Sequence, residues 1–183
     1  MNGKMTGKMT GNTIEGLLRA MVEGFTRFHD DLHICSTATP RTLFISVTAH
    51  TDDTGKLIGS GGGMVKALGR VLEALGDAQQ TRVNLTVNEP KNGQRQVQDP
   101  FQHNLDYDVA AESDLLLRVG RAIFHDAVEV TTVSTGPETT VLILLVDGER
   151  LTQDVELERA LSTIFNAIGK SKGRILFVEM DLK

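Results

Sequence analysis

The chain has no tryptophan, one tyrosine and one cysteine in 183 residues. So few aromatic rings count against a nucleic-acid surface that works by stacking bases on aromatic side chains. Cys35 stands alone, which excludes an intrachain disulfide and fits a reducing compartment. A run of eighteen apolar residues is also missing. The longest stretch, Val141 to Val146, has the length of a buried strand rather than a membrane span. The opening MNGKMTGKMTGN carries two lysines with no apolar segment behind them. It therefore does not read as a secretory signal but as a flexible tail over residues 1–12. What the chain does have is an ordinary globular balance, 40% hydrophobic and 23% charged, which argues against wholesale disorder. Its length suits one medium domain or two small ones.

The net charge is −5, which on its face disfavours a nucleic-acid partner. The distribution is uneven. Residues 1–88 carry nine Lys/Arg against eight Asp/Glu, whereas residues 89–112 and 113–183 each have a net charge of −3. The first half is at least not repelling phosphate.

The pattern along the chain occurs twice. Thr13 can cap a helix with Ile14, Leu17, Leu18, Met21, Val22, Phe25 and Phe28 on one stripe. His33 to Ala38 reads as a short strand. Pro40 marks a turn, and Thr42 to Ala49 alternates, with Leu43, Ile45, Val47 and Ala49 facing one way. After a polar stretch comes GKLIGSGGG, residues 55–63. A second helix follows, with Met64, Ala67, Leu68, Val71, Leu72 and Leu75 on one side and Gly76 as its stop. Val83, Leu85 and Val87 make a third strand. Residues 89–112 are polar and aperiodic and read as a linker.

From Ser113, read as a cap, the same order returns. A helix carries Leu116, Val119, Ala122 and Ile123; a strand begins at Val128, and Gly136-Pro137 turn into the strand Val141 to Val146. A helix over Val155 to Ile168 stops at Gly169, and Arg174 to Met180 forms the closing strand. Ala67-Leu68 matches Ala160-Leu161, Leu75-Gly76 matches Ile168-Gly169, and Arg82-Val83 matches Arg174-Ile175. From Ile45 to Ala67 is 22 residues and from Ile143 to Ala160 is 17, so the second copy is five residues shorter where the first has its glycines. The strand Val141 to Val146, apolar on both faces, predicts burial against the other half or another subunit.

The glycine run, IGSGGG, reads as sitting between a strand and a helix, where backbone N–H groups and the helix dipole favour an anion. It is not a Walker loop, because neither Gly55 nor Gly59 leads to a Lys-Ser/Thr pair. Nor is it a dinucleotide fingerprint: the third small residue is replaced by Met64 or Lys66. The order Ile58-Gly59-Ser60-Gly61-Gly62 satisfies the Ile-Gly-x-x-Gly loop of KH domains, which clamps about four nucleotides of single-stranded backbone. With Asp52-Asp53, Gly55-Lys56 and the helix Lys66-Ala67-Leu68-Gly69-Arg70, it closely resembles the small bacterial KH RNA-binding proteins. The element order resembles the type II, prokaryotic KH topology. The resemblance covers residues 13–88, and residues 113–183 join it by pattern alone, as a degenerate copy without the loop.

The resemblance implies an α/β fold of the two-layer α+β kind, two KH-like domains each with helices on one face of a three-stranded sheet. It implies non-catalytic binding of single-stranded RNA by the first domain, with Gly59 and Gly62 letting backbone approach backbone. Ile58 would floor the bases, with Val65 and Leu68 beside it, and Lys56, Lys66 and Arg70 would supply charge to phosphates. Ser60 and Gly61 depart from the family, which often has Lys or Arg there; this implies weaker or less selective binding. The second domain would dimerise or scaffold. Single-stranded DNA at the same site stays open, as does a protein-interaction module with a vestigial loop. No cofactor, metal or membrane partner is implied, and the expected location is the cytoplasm of a bacterial or phage-infected cell.

Other residues give bland readings. His29 and His33 are four apart but lack partner ligands, so surface or packing roles fit better than zinc. Asp30-Asp31 and Asp52-Asp53 read as solvated caps, and Cys35 as a small buried residue. Phe101, Leu105 and Tyr107 read as docking residues of the linker.

Overall fold

The structure, a computed structural model, describes residues 6–88, 109–125, 128–135, 138–147 and 154–182. The first half runs α1 (Thr6–Glu23), β1 (His33–Ala38), β2 (Thr42–Thr48), α2 (Thr51–Ile58), α3 (Gly63–Ala78) and β3 (Arg82–Asn88). The second runs α4 (Ala110–Phe124), β4 (Val128–Ser134), β5 (Thr139–Val146), α5 (Val155–Ser171) and β6 (Ile175–Leu182). Each half is the expected α/β unit. A three-stranded sheet has its middle strand antiparallel to the preceding strand and parallel to the last.

The parallel strand needs a crossover, and the helices supply it. In the first half α2 and α3 bridge β2 to β3; in the second α5 bridges β5 to β6. Both crossovers return to the sheet in the same way. Thr81 N–H donates to Gly76 O at 2.8 Å and Arg82 N–H to Arg41 O at 2.9 Å. Correspondingly, Arg174 N–H donates to Gly169 O at 2.8 Å and Ile175 N–H to Glu138 O at 2.9 Å.

The helices of the two halves pack on each other, α3 against α5 and α4, and α1 against α4, so one apolar core serves both. Two contacts tie them closely. A Cβ at Gly24 would lie 2.8 Å from Ile168 Cγ1, and Ser171 Oγ donates to Gly24 O at 2.8 Å. The outer faces of the sheets stay exposed, with Phe44 at 48% and Phe177 at 43%. No helix among the described residues is long and apolar enough to cross a membrane.

Several expectations change. The first helix begins at Thr6, so Thr13 is interior and residues 6–12 are helical rather than tail. Ser113 lies inside α4, where its Oγ donates to Val109 O at 2.9 Å, so residues 110–112 of the expected linker are helical. Glu112 is buried and paired with Lys172. Gly76 and Gly169 do not stop their helices. Each helix runs two residues further, and the glycine is needed where the helix crosses the last strand. A Cβ would meet Thr81 O at 2.3 Å in one case and Leu176 Cγ at 2.8 Å in the other. Cys35 is exposed on β1, not buried. Strand β5 is buried on one face only, through Leu142, Leu144 and Val146, while Val141, Ile143 and Leu145 are half-buried on the outer face. Phe101, Leu105, Tyr107 and Gly136-Pro137 lie outside the described residues.

The register between halves also shifts by one. Thr42 pairs with Arg82, and Thr139 with Ile175. Ile45 therefore corresponds to Leu142, and Val83 to Leu176, not to Ile143 and Ile175. From Leu142 to Ala160 is 18 residues against 22 from Ile45 to Ala67, so the second half is four residues shorter, not five.

Candidate nucleic-acid interface

The glycine loop sits between two helices, because the polar stretch before it is helical. His50 caps α2 with its ring, Nδ1 accepting the Asp52 N–H at 3.2 Å, and Asp52 and Asp53 occupy the first turn, where negative charge favours the helix. Leu57 is fully buried and docks the helix on the core. With eight residues, two aspartates and Gly55, this helix has too little apolar periodicity to be read from sequence.

The loop then turns tightly. Gly59 takes φ 72°, ψ 170°, and a Cβ there would stand 2.6 Å from Met64 N. Gly61 and Gly62 are left-handed, at φ 60° and 76°. Ser60 to Gly62 form one 3-10 turn that leads straight into α3, with Gly62 as its N-cap. The Ser60 and Gly61 N–H groups thus precede the first intrahelical acceptor at the positive end of a 16-residue helix. Ser60, Gly61 and Gly63 are exposed, and Gly63 has ordinary helical φ with open space beside it.

The other expected site residues surround this turn unequally. Ile58 and Val65 are half-buried beside it, but Leu68 is fully buried and has no face to offer a base. Lys66 is exposed on the first turn of α3, its Cε 3.8 Å from where a Gly62 Cβ would be, and no described residue pairs with it. Lys56 Nζ is held 2.8 Å from Asp53 Oδ1. Arg70 is turned away from the loop's charge balance: its guanidinium pairs with Asp154 at the start of α5 and lies 3.6 Å from Glu73.

Asp53 is not a solvated cap. It is fully buried, and its Oδ2 accepts the N–H groups of Arg27 at 2.7 Å and Phe28 at 2.8 Å. Burial pushes its pKa up, but Lys56 and the two backbone donors outweigh that and hold it below the ordinary 3.8. Its work is structural. It fastens the chain after α1 to the helix that carries the loop.

The second half also reaches this site, which no local sequence pattern signals. An open cleft of about 490 Å³ lies beside the loop; Lys56, Gly59, Ser60 and Met64 form one wall and α5 the other. His29 Nε2 donates to Thr26 O at 3.0 Å, and His33 lies exposed on β1. No group of three or more metal-ligating side chains occurs among the described residues.

No family model matches the chain. It is 31% identical over 68 residues to an RNA-binding protein KhpA from Leifsonia xyli subsp. xyli (strain CTCB07). The match spans 37% of this chain and 90% of that protein. The chain belongs to the KhpA family. The 68 matched residues amount to about one of the two halves, so the family accounts for one unit of an architecture that contains two.

Proposed function

We propose that the protein binds single-stranded RNA, without catalysis, by closing the Gly59–Gly62 loop on the sugar–phosphate backbone. The observation that carries this reading is the loop itself. The positive-φ glycines Gly59, Gly61 and Gly62, with Ser60 between the first two, present backbone N–H groups at the start of α3 with no loop side chain larger than Ser60. Such a surface suits a phosphate chain that must approach backbone closely. The family relationship supports RNA as the ligand, since the KhpA relative is an RNA-binding protein. Ile58 and Val65 would meet the bases, and Lys66 would face a phosphate. The two halves are a tandem pair of KH-like units; in the second, DGERLTQD (residues 147–154) stands in place of α2 and the loop.

The test is fluorescence anisotropy with labelled single-stranded RNA, single-stranded DNA and duplex RNA, using the wild-type chain and a Ser60→Asp/Gly61→Asp variant. Aspartate tolerates the left-handed conformation of Gly61, so the variant should fold, which circular dichroism checks. Salt-sensitive RNA binding that the variant loses supports the reading. Equal binding by both proteins overturns it.

For the second half we propose a dimerising role, supported by its outer sheet face. Val133, Val141 and Phe177 form a row across β4, β5 and β6, where the first half has Thr37, Phe44 and Asn84. Exposed Ile175 adjoins that row. Sedimentation velocity should show a concentration-dependent dimer that Phe177→Asp dissociates; a wild-type monomer at all concentrations removes the role.

A further inference from the structure

Beside the glycine loop, the cleft's second wall is a stripe along α5. Arg159, Ser162, Thr163, Asn166 and Lys170 share one side of the helix, the face opposite the buried Leu161, Ile164, Phe165 and Ile168. From Arg159 to Lys170 the stripe runs about 16 Å along the helix. In a chain of net charge −5, the cleft is lined by three cations, Lys56, Arg159 and Lys170, and by no carboxylate among the described residues. Lys56 is already held by Asp53, whereas Arg159 and Lys170 are exposed and pair with no described residue. By contrast, the groove at the far end of α3 has Glu73 and Asp77 on its rim.

Two unpaired cations on one face of a helix, across an open cleft from backbone N–H groups, fit a polyanion longer than the loop can hold. We infer that α5 of the second half is the outer wall of the RNA site, and that Arg159 and Lys170 bind phosphates flanking the nucleotides gripped by the loop. This rests on the RNA reading above and gives the second half a part in binding that its own missing loop would not suggest. The fixed mutual position of the two walls follows from the shared core. Arg70 and Asp154 join α3 to the start of α5, and Ser171 and Gly24 join its end to the chain after α1. Asn166, half-buried midway along the stripe, is placed to meet a sugar or base edge.

The experiment uses the full chain, labelled single-stranded RNAs of four and eight nucleotides, and a salt titration. Three variants are compared with wild type: Arg159→Ala/Lys170→Ala, Ser60→Asp/Gly61→Asp, and Arg41→Ala as a charge control. Arg41 bonds through its carbonyl to Arg82, at the end of α3 remote from the loop. The α5 variant should bind the eight-nucleotide RNA about five- to tenfold more weakly at low salt. Its salt slope should fall by about 1.4, two phosphates at about 0.7 each for a single strand. Wild type should gain affinity from four to eight nucleotides, and the α5 variant should lose that gain. If the α5 variant behaves as wild type while the loop variant fails to bind, the wall is wrong and the RNA site stands. An equal loss with Arg41→Ala also overturns it, because the effect would then be general charge. If wild type binds no RNA, the functional reading falls and this inference with it.

Discussion

Asp154 divides its two carboxylate oxygens between Arg70 and Leu157: Oδ2 takes the guanidinium of the preceding half, and Oδ1 accepts the Leu157 N–H at 2.9 Å to cap α5. One residue thus starts the helix and pins it to α3. The same pairing withdraws Arg70 from the set of cations that face a phosphate. Lys66→Ala should therefore lower the salt slope of RNA binding by about 0.7, while Arg70→Ala leaves it nearly unchanged. Equal effects would show that the Arg70 pair opens when RNA binds. In urea, Asp154→Ala should cost about 1–2 kcal/mol for the lost cap, and Asp154→Asn, which keeps an acceptor at Oδ1, clearly less.

Asp53 makes acid stability a property of the loop's support. Its folded pKa is depressed, so the stability it contributes is fully present above its unfolded value near 3.8 and is lost as pH falls through the lower folded value. Asp53→Asn keeps an acceptor for Arg27 and Phe28 but has no charge for Lys56. The variant should be destabilised at neutral pH by about 1–3 kcal/mol, and its stability should fall less steeply below pH 3.8 than that of wild type. Urea midpoints across that range would read the difference; parallel curves would mean Asp53 is not the group responsible.

Gly59 and Gly69 give opposite expectations for the same substitution. Gly59 combines φ 72° with Met64 N at 2.6 Å from the missing Cβ, so alanine there must move the backbone that forms the grip. Gly69 sits in α3 with nothing within 4 Å of its missing Cβ. Gly69→Ala should stabilise the protein by about 0.5–1 kcal/mol and leave RNA affinity unchanged. Gly59→Ala should abolish binding and cost at least about 1–3 kcal/mol. Thermal melts and anisotropy on both variants check the pair.

What was readable in the sequence follows from what each signal depends on. Strand β2 and helix α3 were readable because their inward residues, such as Leu43, Ile45, Val47 and Leu68, Val71, Leu75, repeat at the period of their element and are all buried. The glycine loop was readable because positive φ at Gly59, Gly61 and Gly62 favours glycine, most strictly at Gly59. Helix α2 was not, since its hold is a histidine cap and the buried Asp53, neither of which has a period. The wall from α5 was invisible for another reason. Its polar stripe looks like any solvated helix face until the two halves are packed together. Partners of Arg70 and Glu112 lie 84 and 60 residues away, and no local pattern reports such distances.

The one-residue offset between Ile143 and Leu142 is hidden in the sequence, because the strand is apolar at every position from Val141 to Val146. Val141 to Val146 has no alternation to mark its inner face, whereas the pairing of Thr139 with Ile175 sets it unambiguously. Leu142, fully buried, is the true counterpart of Ile45; Ile143 faces outward and is half-buried. Leu142→Ala should then cost about 2–5 kcal/mol, the range for emptying a packed core site. Ile143→Ala removes a side chain of the same size from the outer face and should cost less than about 1.5 kcal/mol, because the site is already partly hydrated and leaves no sealed cavity. Urea unfolding of the two variants decides the register directly: equal losses, or a larger loss at Ile143, would place the other face of β5 against the shared core.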